Sequence, residues 1–446
     1  MKLKSIFSIC ILATVTLFSC IKDDVVLLDT TLPQALERSL IQADLPYELD
    51  GFGGAYNPRQ IVVKFKDGVS QVRRNEILID ILGAVSVKEC MCGDVLTLAQ
   101  WDNAGLIEKG GLEGIKQKGT SENDIEELSF NYYNFSDILI FTPPTIIGSP
   151  FLSTNEDGNI IAILDVGVDY GSNTVINGRL LGNAQENSPG DDQDGNCLVD
   201  DQIGWDFYNE DNDPTDDHGH GTHVANTIID QMAAIDASGQ TNEFLFLPLK
   251  THNKDGIGTL FTVSCGMIYA ADRGADIINT SWGFYAKEVP EVLQQAIEYA
   301  HTVSGAIIVA SLGNEGINLD NHNHYPSDFP FDYIIPVGCS DRNDTLKAEF
   351  SNYYGTPTTN LFAPGVDVSA TMPSWYAPNP EVKSGTSMSA AAISAAVAYA
   401  IVNCGTTDAG TIKAEILNGL SVNNATYNGD LINYVNYNPA NFEPCP

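Results

Sequence analysis

Basic residues are scarce in this chain of 446 residues, which carries 22 lysines and arginines against 58 aspartates and glutamates. The formal net charge is therefore −36. Nucleic-acid binding needs clustered lysine and arginine to meet the phosphates, so this balance argues against DNA or RNA as a partner. An acidic balance is typical of an exported protein that stays soluble by self-repulsion, or of a protein that binds cations.

Long apolar runs and internal repeats are also missing. No apolar stretch reaches the about 18 residues that a membrane-spanning helix needs, so we expect the body of the chain to be soluble. Apolar residues still make up 43% of the chain, which excludes a disordered protein. The length fits one large domain and one smaller domain.

The N-terminus indicates export. Lys2 and Lys4 precede a short apolar core at residues 6–18, as in a signal peptide. Leu-Phe-Ser then precedes Cys20, which resembles the lipobox of bacterial lipoproteins, and this resemblance implies that Cys20 is acylated. We therefore predict a signal peptide over residues 1–19 and a lipoprotein of the outer membrane or cell surface. An ordinary signal peptide with an incidental cysteine is the alternative.

Nine cysteines are present. Setting aside Cys10 in the signal and Cys20 as the lipid site leaves seven, an odd number. Exported proteins form disulfides, but the sequence leaves the pairing open. The close pair Cys90 and Cys92 has the spacing of neither a redox motif nor a zinc motif.

Glycine- and proline-bearing segments divide the rest of the chain. Residues 20–56 are predicted to be a tether that ends in a glycine-rich segment. Residues 57–141 form a small α+β unit with strand-like and helical patterns. A linker follows at 142–158, and residues 159–446 make up the large domain.

Short apolar runs alternate with helical patterns throughout the large domain. Continuous apolar strands between helices are typical of a parallel sheet covered on both faces. We therefore predict a three-layer α/β fold with strands near residues 160–164, 244–249, 277–280, 306–310 and 334–337.

Short segments of the large domain carry the chemistry. An apolar strand ends in Asp165, which places a carboxylate at the carboxyl edge of the sheet. Residues 220–225 read His-Gly-Thr-His-Val-Ala, a tight helix start with His220 at its rim. Ser-Gly-Thr-Ser-Met places Ser387 before a long apolar helix, and Asn314 follows another core strand in an Asn-Glu-Gly segment.

Together, in the chain order Asp, His, Ser, these segments resemble those of the subtilisin family of serine proteases. The resemblance implies a secreted serine endopeptidase with Asp165, His220 and Ser387 as its catalytic triad and Asn314 as an oxyanion donor. It also implies an acyl-enzyme mechanism that requires no cofactor for its chemistry and acts on peptide or protein substrates.

The same resemblance implies how the substrate binds. Residues 279–283 read Asn-Thr-Ser-Trp-Gly and match the family strand that pairs with an extended peptide. The predicted substrate-binding residues are Ser281, Trp282, Gly283, Leu312 and Gly313.

Residues 57–141 resemble the prodomain that inhibits many subtilisin-like enzymes from within the same chain. A separate domain with no inhibitory role is the alternative. If the chain is cut near residues 135–150, the lipid stays with the prodomain, and we expect release of the catalytic part.

Three positions depart from the family pattern. Val166, Asn226 and Ala391 stand where a hydroxyl residue, a glycine and a proline are usual. They remove no group that does chemistry, but they support a rival function, a catalytically impaired lipoprotein that binds peptides or proteins. Another enzyme on the same scaffold, such as a peptide ligase, is a further alternative.

Two kinds of metal site deserve comparison. His218, His220 and His223 could form a zinc site, but the zinc-helix pattern of two histidines four residues apart around a glutamate is absent. Residues 191–217 hold eleven carboxylates, and residues 180–249 contain no lysine or arginine. Structural Ca²⁺ is therefore predicted in a loop with oxygen ligands at Asp192, Asp194, Asn196 and Asp200, with a solvated acidic loop as the alternative.

Overall fold

The computed structural model describes residues 40, 43, 45–91, 96–105, 110–136, 158–236, 244–377, 379–418 and 420–445. The predicted signal peptide, the lipid site at Cys20 and all but the last residue of the linker 142–158 lie outside the described residues.

The N-terminal unit is an antiparallel sheet with helices on one face. Its strands follow the order β3-β4-β2-β5, and β1 pairs with β2. Helix α1 continues into a π-helical turn at Glu76–Ile81. The bounds are β1 Glu48–Leu49, β2 Ala55–Phe65, α1 Gln71–Asn75, β3 Ser86–Glu89, β4 Leu96–Gln100, α2 Gly111–Gly119 and β5 Ile125–Phe135.

This sheet begins earlier than the boundary at residue 56 that the sequence analysis gives to the tether. Glu48 pairs with Tyr56 across the hairpin of β1 and β2. The glycine-rich segment between them is an ordered turn, because Asp50 Oδ1 accepts hydrogen bonds from the Phe52 and Gly54 amides at 2.8 and 3.0 Å. Glycine permits this tight turn beside Asp50.

The large domain is built on a sheet with the order β18-β19-β15-β14-β12-β10-β6-β8-β7. All neighbouring strands run parallel except β18 and β19. Five further strands of the large domain, β9, β11, β13, β16 and β17, lie outside this sheet. The strands of the large domain are β6 Ile160–Asp165, β7 Trp205–Asp206, β8 Leu245–Lys250, β9 Ile257–Thr259, β10 Ile277–Thr280, β11 Phe284–Tyr285, β12 Ile307–Ser311, β13 His324–Tyr325, β14 Ile334–Cys339, β15 Thr359–Ala363, β16 Val368–Ala370, β17 Glu381–Lys383, β18 Asn423–Tyr427 and β19 Asp430–Asn436.

Helices cover both faces of this sheet, as predicted. On β6, Ile161 and Ile163 pack toward one face, and Ala162 and Leu164 pack toward the other. Helices α4 and α7 lie against the first face, and α5 and α6 lie against the second. The three-layer α/β fold is therefore confirmed. The helices are α3 Thr174–Asn177, α4 His220–Ile235, α5 Leu260–Asp272, α6 Glu291–Ser304, α7 Thr386–Cys404 and α8 Ala409–Leu417, with single 3₁₀ turns at Leu319–Asn321 and Pro439–Asn441.

Helix α7 is the one helix within the described ranges that is long and apolar enough to cross a membrane. Its most apolar window is 78% buried inside the protein. The central helix of a folded domain can have the same length and apolar composition as a membrane-spanning helix. The burial of α7 is typical of such a central helix.

The N-terminal unit packs on α5 and α6 of the large domain. The rings of Tyr132 and Phe284 stack at 5.6 Å, and Lys116 Nζ lies 3.0 Å from Glu288 Oε2. Asn131 Oδ1 accepts a hydrogen bond of 3.0 Å from the Phe261 amide at the start of α5. Apolar residues of the two units form one continuous core.

A disulfide also joins the two units covalently. Cys90 follows β3, and it is bonded to Cys265 within α5. A second disulfide, Cys404–Cys445, connects the end of α7 to the C-terminal segment, and Cys197 is disulfide-bonded as well. A cut between residues 136 and 158 leaves the two units joined through the bond Cys90–Cys265, so release of the catalytic part stays a prediction that also requires this bond to be broken.

This connection yields a direct prediction. A recognition site for an unrelated protease, inserted between residues 137 and 157 of a Ser387→Ala chain, gives two fragments after digestion. We expect one band on a non-reducing gel and two bands after reduction. A chain with both Cys197→Ser and Cys265→Ser is the matched control, because Cys197 is disulfide-bonded as well, and it gives two bands on both gels. Two bands on the non-reducing gel from the chain that retains its cysteines would contradict the disulfide link between the two units.

Candidate active site

Three of the predicted residues lie at the carboxyl edge of the main sheet. Asp165 is the last residue of β6, His220 is the first residue of α4, and Ser387 is the second residue of α7. Their exposed fractions are 0%, 1% and 5%. In parallel α/β sheets this edge is where strands deliver side chains to a common site.

Asp165 and His220 are in direct contact. His220 Nδ1 lies 2.8 Å from Asp165 Oδ1 and 2.9 Å from Oδ2, and the Val166 amide donates to Oδ1 at 2.8 Å. Burial alone raises the pKa of Asp165, but the nearby His220, its hydrogen bond and the Val166 amide outweigh this and hold the pKa below its usual value. Asp165 is therefore an ionised acceptor that fixes the proton of His220 on Nδ1.

The start of α4 is organised around a buried carboxylate. Asp216 accepts hydrogen bonds from the amides of His218, Gly219 and Thr222 at 2.8, 2.6 and 2.9 Å, and from Thr222 Oγ1 at 2.5 Å. Burial raises the pKa of Asp216 to about 6 despite these bonds. Sequence reasoning did not single out Asp216, although its position four residues before His220 was available as a signal.

Ser387 lies at the N-terminal end of a buried helix. Its Oγ donates to the Ser281 carbonyl at 3.1 Å, and Ser281 Oγ donates to the Ser387 carbonyl at 3.1 Å. The first amides of a helix have no acceptors within the helix and carry partial positive charge. An anion formed beside Ser387 therefore meets a favourable field.

Asn314 is attached to the same helix end. Its Oδ1 accepts from the Thr386 amide at 2.9 Å and from Thr386 Oγ1 at 3.1 Å. Gly313 adopts a positive φ of 92°, and its amide donates to Thr386 Oγ1 at 3.2 Å. Because the amide oxygen of Asn314 is engaged with Thr386, its Nδ2 group is the part that can donate to another molecule.

The predicted substrate strand is occupied by the end of β5. The Phe135 amide donates to the Gly283 carbonyl and the Gly283 amide donates to the Phe135 carbonyl, both at 3.2 Å. On its other side β5 pairs with β9, with Asn134 opposite Gly258. The Ser136 amide donates to the Gly256 carbonyl at 3.0 Å. The end of β5 is therefore held between two segments of the large domain.

The remaining predicted substrate residues support this groove without being exposed. Trp282 has an exposed fraction of 1% and its ring lies 5.8 Å from the ring of His252. Leu312 is also 1% exposed and packs in a small cluster with Tyr285 and Leu319. Both side chains are therefore buried in the structure and do not line an open surface.

The three histidines near the start of α4 do not converge on one point. His220 is engaged by Asp165, while His223 Nε2 lies 3.2 Å from the Val368 carbonyl. Burial lowers the pKa of His223 to about 4. Within the described residues, the compact group of possible metal ligands is Glu186, Asp192 and Asp194, which includes none of these histidines.

In the acidic loop, oxygens of Glu186, Asp192 and Asp194 lie within 4.8 Å of one another. Glu186 was not identified from the sequence, because it precedes the alternating pattern. Of the other predicted ligands, Asn196 uses its Oδ1 to accept from the Leu198 amide at 2.7 Å. Asp200 Oδ1 is buried and has no hydrogen-bond partner among the described residues.

The departures from the family pattern have structural roles. Asn226 Nδ2 donates to the carbonyls of Thr222 and Thr371 at 3.0 and 2.9 Å, which connects α4 to a neighbouring segment. Val166 and Ala391 are both fully buried in the core.

A parallel α/β sheet with a buried Asp–His pair at its carboxyl edge, together with a serine at the N-terminal end of a buried helix, is typical of an α/β serine hydrolase. The sequence profile of the subtilase family matches residues 156–435 of this chain. The chain belongs to the subtilase family, and it is a serine-type endopeptidase.

Individual relatives agree with this assignment. The chain is 28% identical over 353 residues to a thermophilic serine proteinase of Bacillus sp. (strain AK1), covering 76% of each chain. It is 35% identical over 190 residues to thermitase of Thermoactinomyces vulgaris, which is 42% of this chain and 62% of thermitase. The epidermin leader peptide processing serine protease of Staphylococcus aureus has a similar fold, with a TM-score of 0.58, 18% identity, and coverage of 86% of this chain and 99% of that chain.

Proposed function

We propose that this protein is an exported endopeptidase in which Asp165, His220 and Ser387 form the catalytic triad. The observation that carries the proposal is the buried contact of 2.8 Å between Asp165 and His220 Nδ1. Because Asp165 holds the Nδ1 proton, the other ring nitrogen of His220 is the basic atom.

The proposed reaction begins when Ser387 turns its hydroxyl from the Ser281 carbonyl toward His220. Ser387 Oγ attacks the peptide carbonyl, and His220 takes the hydroxyl proton and returns it to the leaving amine. Asn314 Nδ2 and the Ser387 amide stabilise the oxyanion, and water then hydrolyses the acyl-enzyme. No cofactor takes part in these steps.

The groove beside Gly283 is the proposed substrate site. An extended peptide placed like the end of β5 would make the same antiparallel hydrogen bonds to Gly283, Gly258 and Gly256. Main-chain pairing of this kind binds many sequences, and side-chain pockets add selectivity.

We also propose that the N-terminal unit is an inhibitor in the same chain. Its strand β5 lies in the proposed substrate groove, and its core is continuous with that of the large domain. A peptide substrate and β5 would compete for the same hydrogen bonds.

Export and lipidation at Cys20 are proposed from residues 1–20. Disulfides form and persist in oxidising compartments, so the bonds Cys90–Cys265 and Cys404–Cys445 support export. The location proposed is the outer membrane or cell surface.

Structural Ca²⁺ is proposed at Glu186, Asp192 and Asp194. Calcium takes oxygen ligands at about 2.3–2.6 Å, so oxygens that lie within 4.8 Å of one another can share one ion. The buried, unpartnered Asp200 Oδ1 supports a cation in this loop. Its role would be to stabilise the loop, with no part in the reaction.

The test of the proposed function is the intact mass of the purified ectodomain after fluorophosphonate treatment. We expect one adduct on the processed wild-type chain and none on Ser387→Ala. Asn314→Ala is expected to retain labelling with a kcat lower by about 10²–10³, the loss measured in subtilisin itself when this donor is removed. A folded, processed protein that forms no adduct would contradict the endopeptidase proposal and favour a catalytically impaired protein that binds peptides.

Inhibition by β5 is tested with Phe135→Pro in the full chain. Proline removes the amide that donates to Gly283, so we expect initial peptidase activity about tenfold higher than wild type. Phe135→Ala is the control, since it retains this amide. Equal activity of the proline and alanine variants would argue against inhibition through main-chain pairing.

The calcium proposal predicts that a chelator lowers the thermal unfolding midpoint of the Ser387→Ala chain and that added Ca²⁺ restores it. Glu186→Gln is expected to have a lower midpoint that no longer responds to Ca²⁺. Asp211→Asn, an exposed carboxylate of the same acidic segment, is the matched control and should respond like wild type. A wild-type midpoint that is insensitive to both additions would favour a solvated acidic loop.

A further inference from the structure

A row of buried charged residues crosses the carboxyl edge of the main sheet beside the Asp165–His220 pair. Lys250 ends β8, where it pairs in register with Asp165 of β6 on one side and with Asp206 of β7 on the other. The exposed fractions of Asp165, Lys250 and Asp206 are 0%, 1% and 1%. Residues paired in register on parallel strands project toward the same face, which here is the face that α4 covers. A buried lysine therefore stands between two aspartates of the sheet, on the face that carries His220.

The ammonium group of Lys250 contacts the segments that deliver both members of the pair. Its Nζ donates to the Val166 carbonyl at 2.9 Å and forms an ion pair with Asp217. Val166 immediately follows Asp165, and the Val166 amide donates to Asp165 Oδ1 at 2.8 Å. Asp217 lies three residues before His220. One side chain thus bridges the end of β6 and the turn that leads into α4.

The main chain around Lys250 is itself fixed to its neighbours. The amides of Thr251 and His252 donate to the Asp165 carbonyl at 2.8 and 3.2 Å. The Lys250 carbonyl accepts a hydrogen bond of 2.8 Å from the Phe207 amide. Because the end of β8 is held on both sides, the lysine side chain extends from a rigid base toward Val166 and Asp217.

Stability alone does not account for a lysine at this position. A buried ammonium costs free energy when it leaves water, and an apolar side chain of similar volume is often at least as stable in the same place. Burial raises the pKa of Asp206 to about 7, and Lys250 acts against this rise. Burial lowers the pKa of His252 to about 3, so this ring is uncharged at neutral pH. Asp217, whose side chain is 31% exposed, is the carboxylate in direct contact with the ammonium.

We propose that Lys250 is a positioning residue that fixes the segment carrying Asp165 relative to the segment carrying His220. The inference rests on the proposed function, because it gives Lys250 a task within the proposed catalytic triad. Lys250 acts through Val166 and Asp217. A displacement of about 1 Å in a catalytic group can lower the rate by about 10²-fold, so the bridge is expected to affect the reaction more than the stability of the fold.

The test replaces the bridge without changing the net charge. Lys250→Met together with Asp217→Asn removes one positive and one negative charge and keeps the size of both side chains. We expect kcat of the processed chain to fall by about 10²-fold, with KM little changed. The acidic limb of the pH profile should move to lower pH, because a displaced Asp165 stabilises the charged imidazole of His220 less.

Matched variants separate positioning from a general effect of charge. Lys254→Met together with Asp211→Asn makes the same change in charge at two exposed residues and should behave like wild type. Asp217→Asn alone keeps the bond from Lys250 to the Val166 carbonyl, so we expect a loss of about tenfold. Lys250→Arg retains a charged donor and should keep more activity than the double variant with Met.

Two further measurements distinguish positioning from a merely structural role. The downfield proton NMR signal of His220 Nδ1 reports its contact with Asp165, and it should shift or broaden in the double variant at a temperature where the chain is folded. The thermal unfolding midpoint is measured beside it. A lower midpoint with unchanged kcat, pH profile and Nδ1 signal would overturn the positioning role and leave the proposed endopeptidase intact.

The remaining outcomes are also decisive. If the double variant does not fold, Asp217→Asn and Lys250→Arg carry the test, and wild-type kcat and pH profiles in both would overturn the proposal. A folded, processed wild-type chain that neither cleaves peptides nor forms a fluorophosphonate adduct would overturn the proposed function, and the role of Lys250 with it.

Discussion

The contact between Asp165 and His220 is the constraint on which the rest of the site depends. A carboxylate with no exposure to water requires a hydrogen-bonded partner, and here the partner is delivered by a different element of the fold. Close approach of α4 to the end of β6 makes this possible. A Cβ on Gly221 would lie 2.0 Å from the Gly167 carbonyl, so glycine at the second position of α4 is a steric requirement.

The same local crowding explains why the start of α4 is so fully hydrogen-bonded. Asp216 holds the turn from which His220 emerges, and Asn226 connects α4 to the segment around Thr371. Ser387 and Asn314 are fixed in turn by Ser281 and Thr386. The site is therefore a set of helix and strand ends held together by short polar contacts, which is the rigidity that preorganised catalysis needs.

Much of this arrangement could be predicted from the sequence, because its signals are local. Apolar strands between helices indicated the parallel sheet, and short motifs marked the segments that carry Asp165, His220, Asn314 and Ser387.

Features that depend on distant pairing could not be predicted in this way. The bond Cys90–Cys265 spans 175 residues, and the position of Glu186 beside Asp192 and Asp194 depends on how one loop folds back. The turn at Asp50 could not be predicted either, because glycine content alone does not show that a hydrogen-bond acceptor lies nearby.

The disulfide between the two units changes how the inhibitor strand would behave after the chain is cut. A free inhibitor dissociates on dilution, because its local concentration falls with that of the bulk solution. A strand tied through Cys90 to the helix below the groove keeps an effective concentration on the order of millimolar at any protein concentration. Dilution into the surroundings would therefore not activate the protein. Activity would instead follow the slow destruction of the N-terminal unit or the reduction of its disulfides, so its timing would be set by the chemistry of the environment.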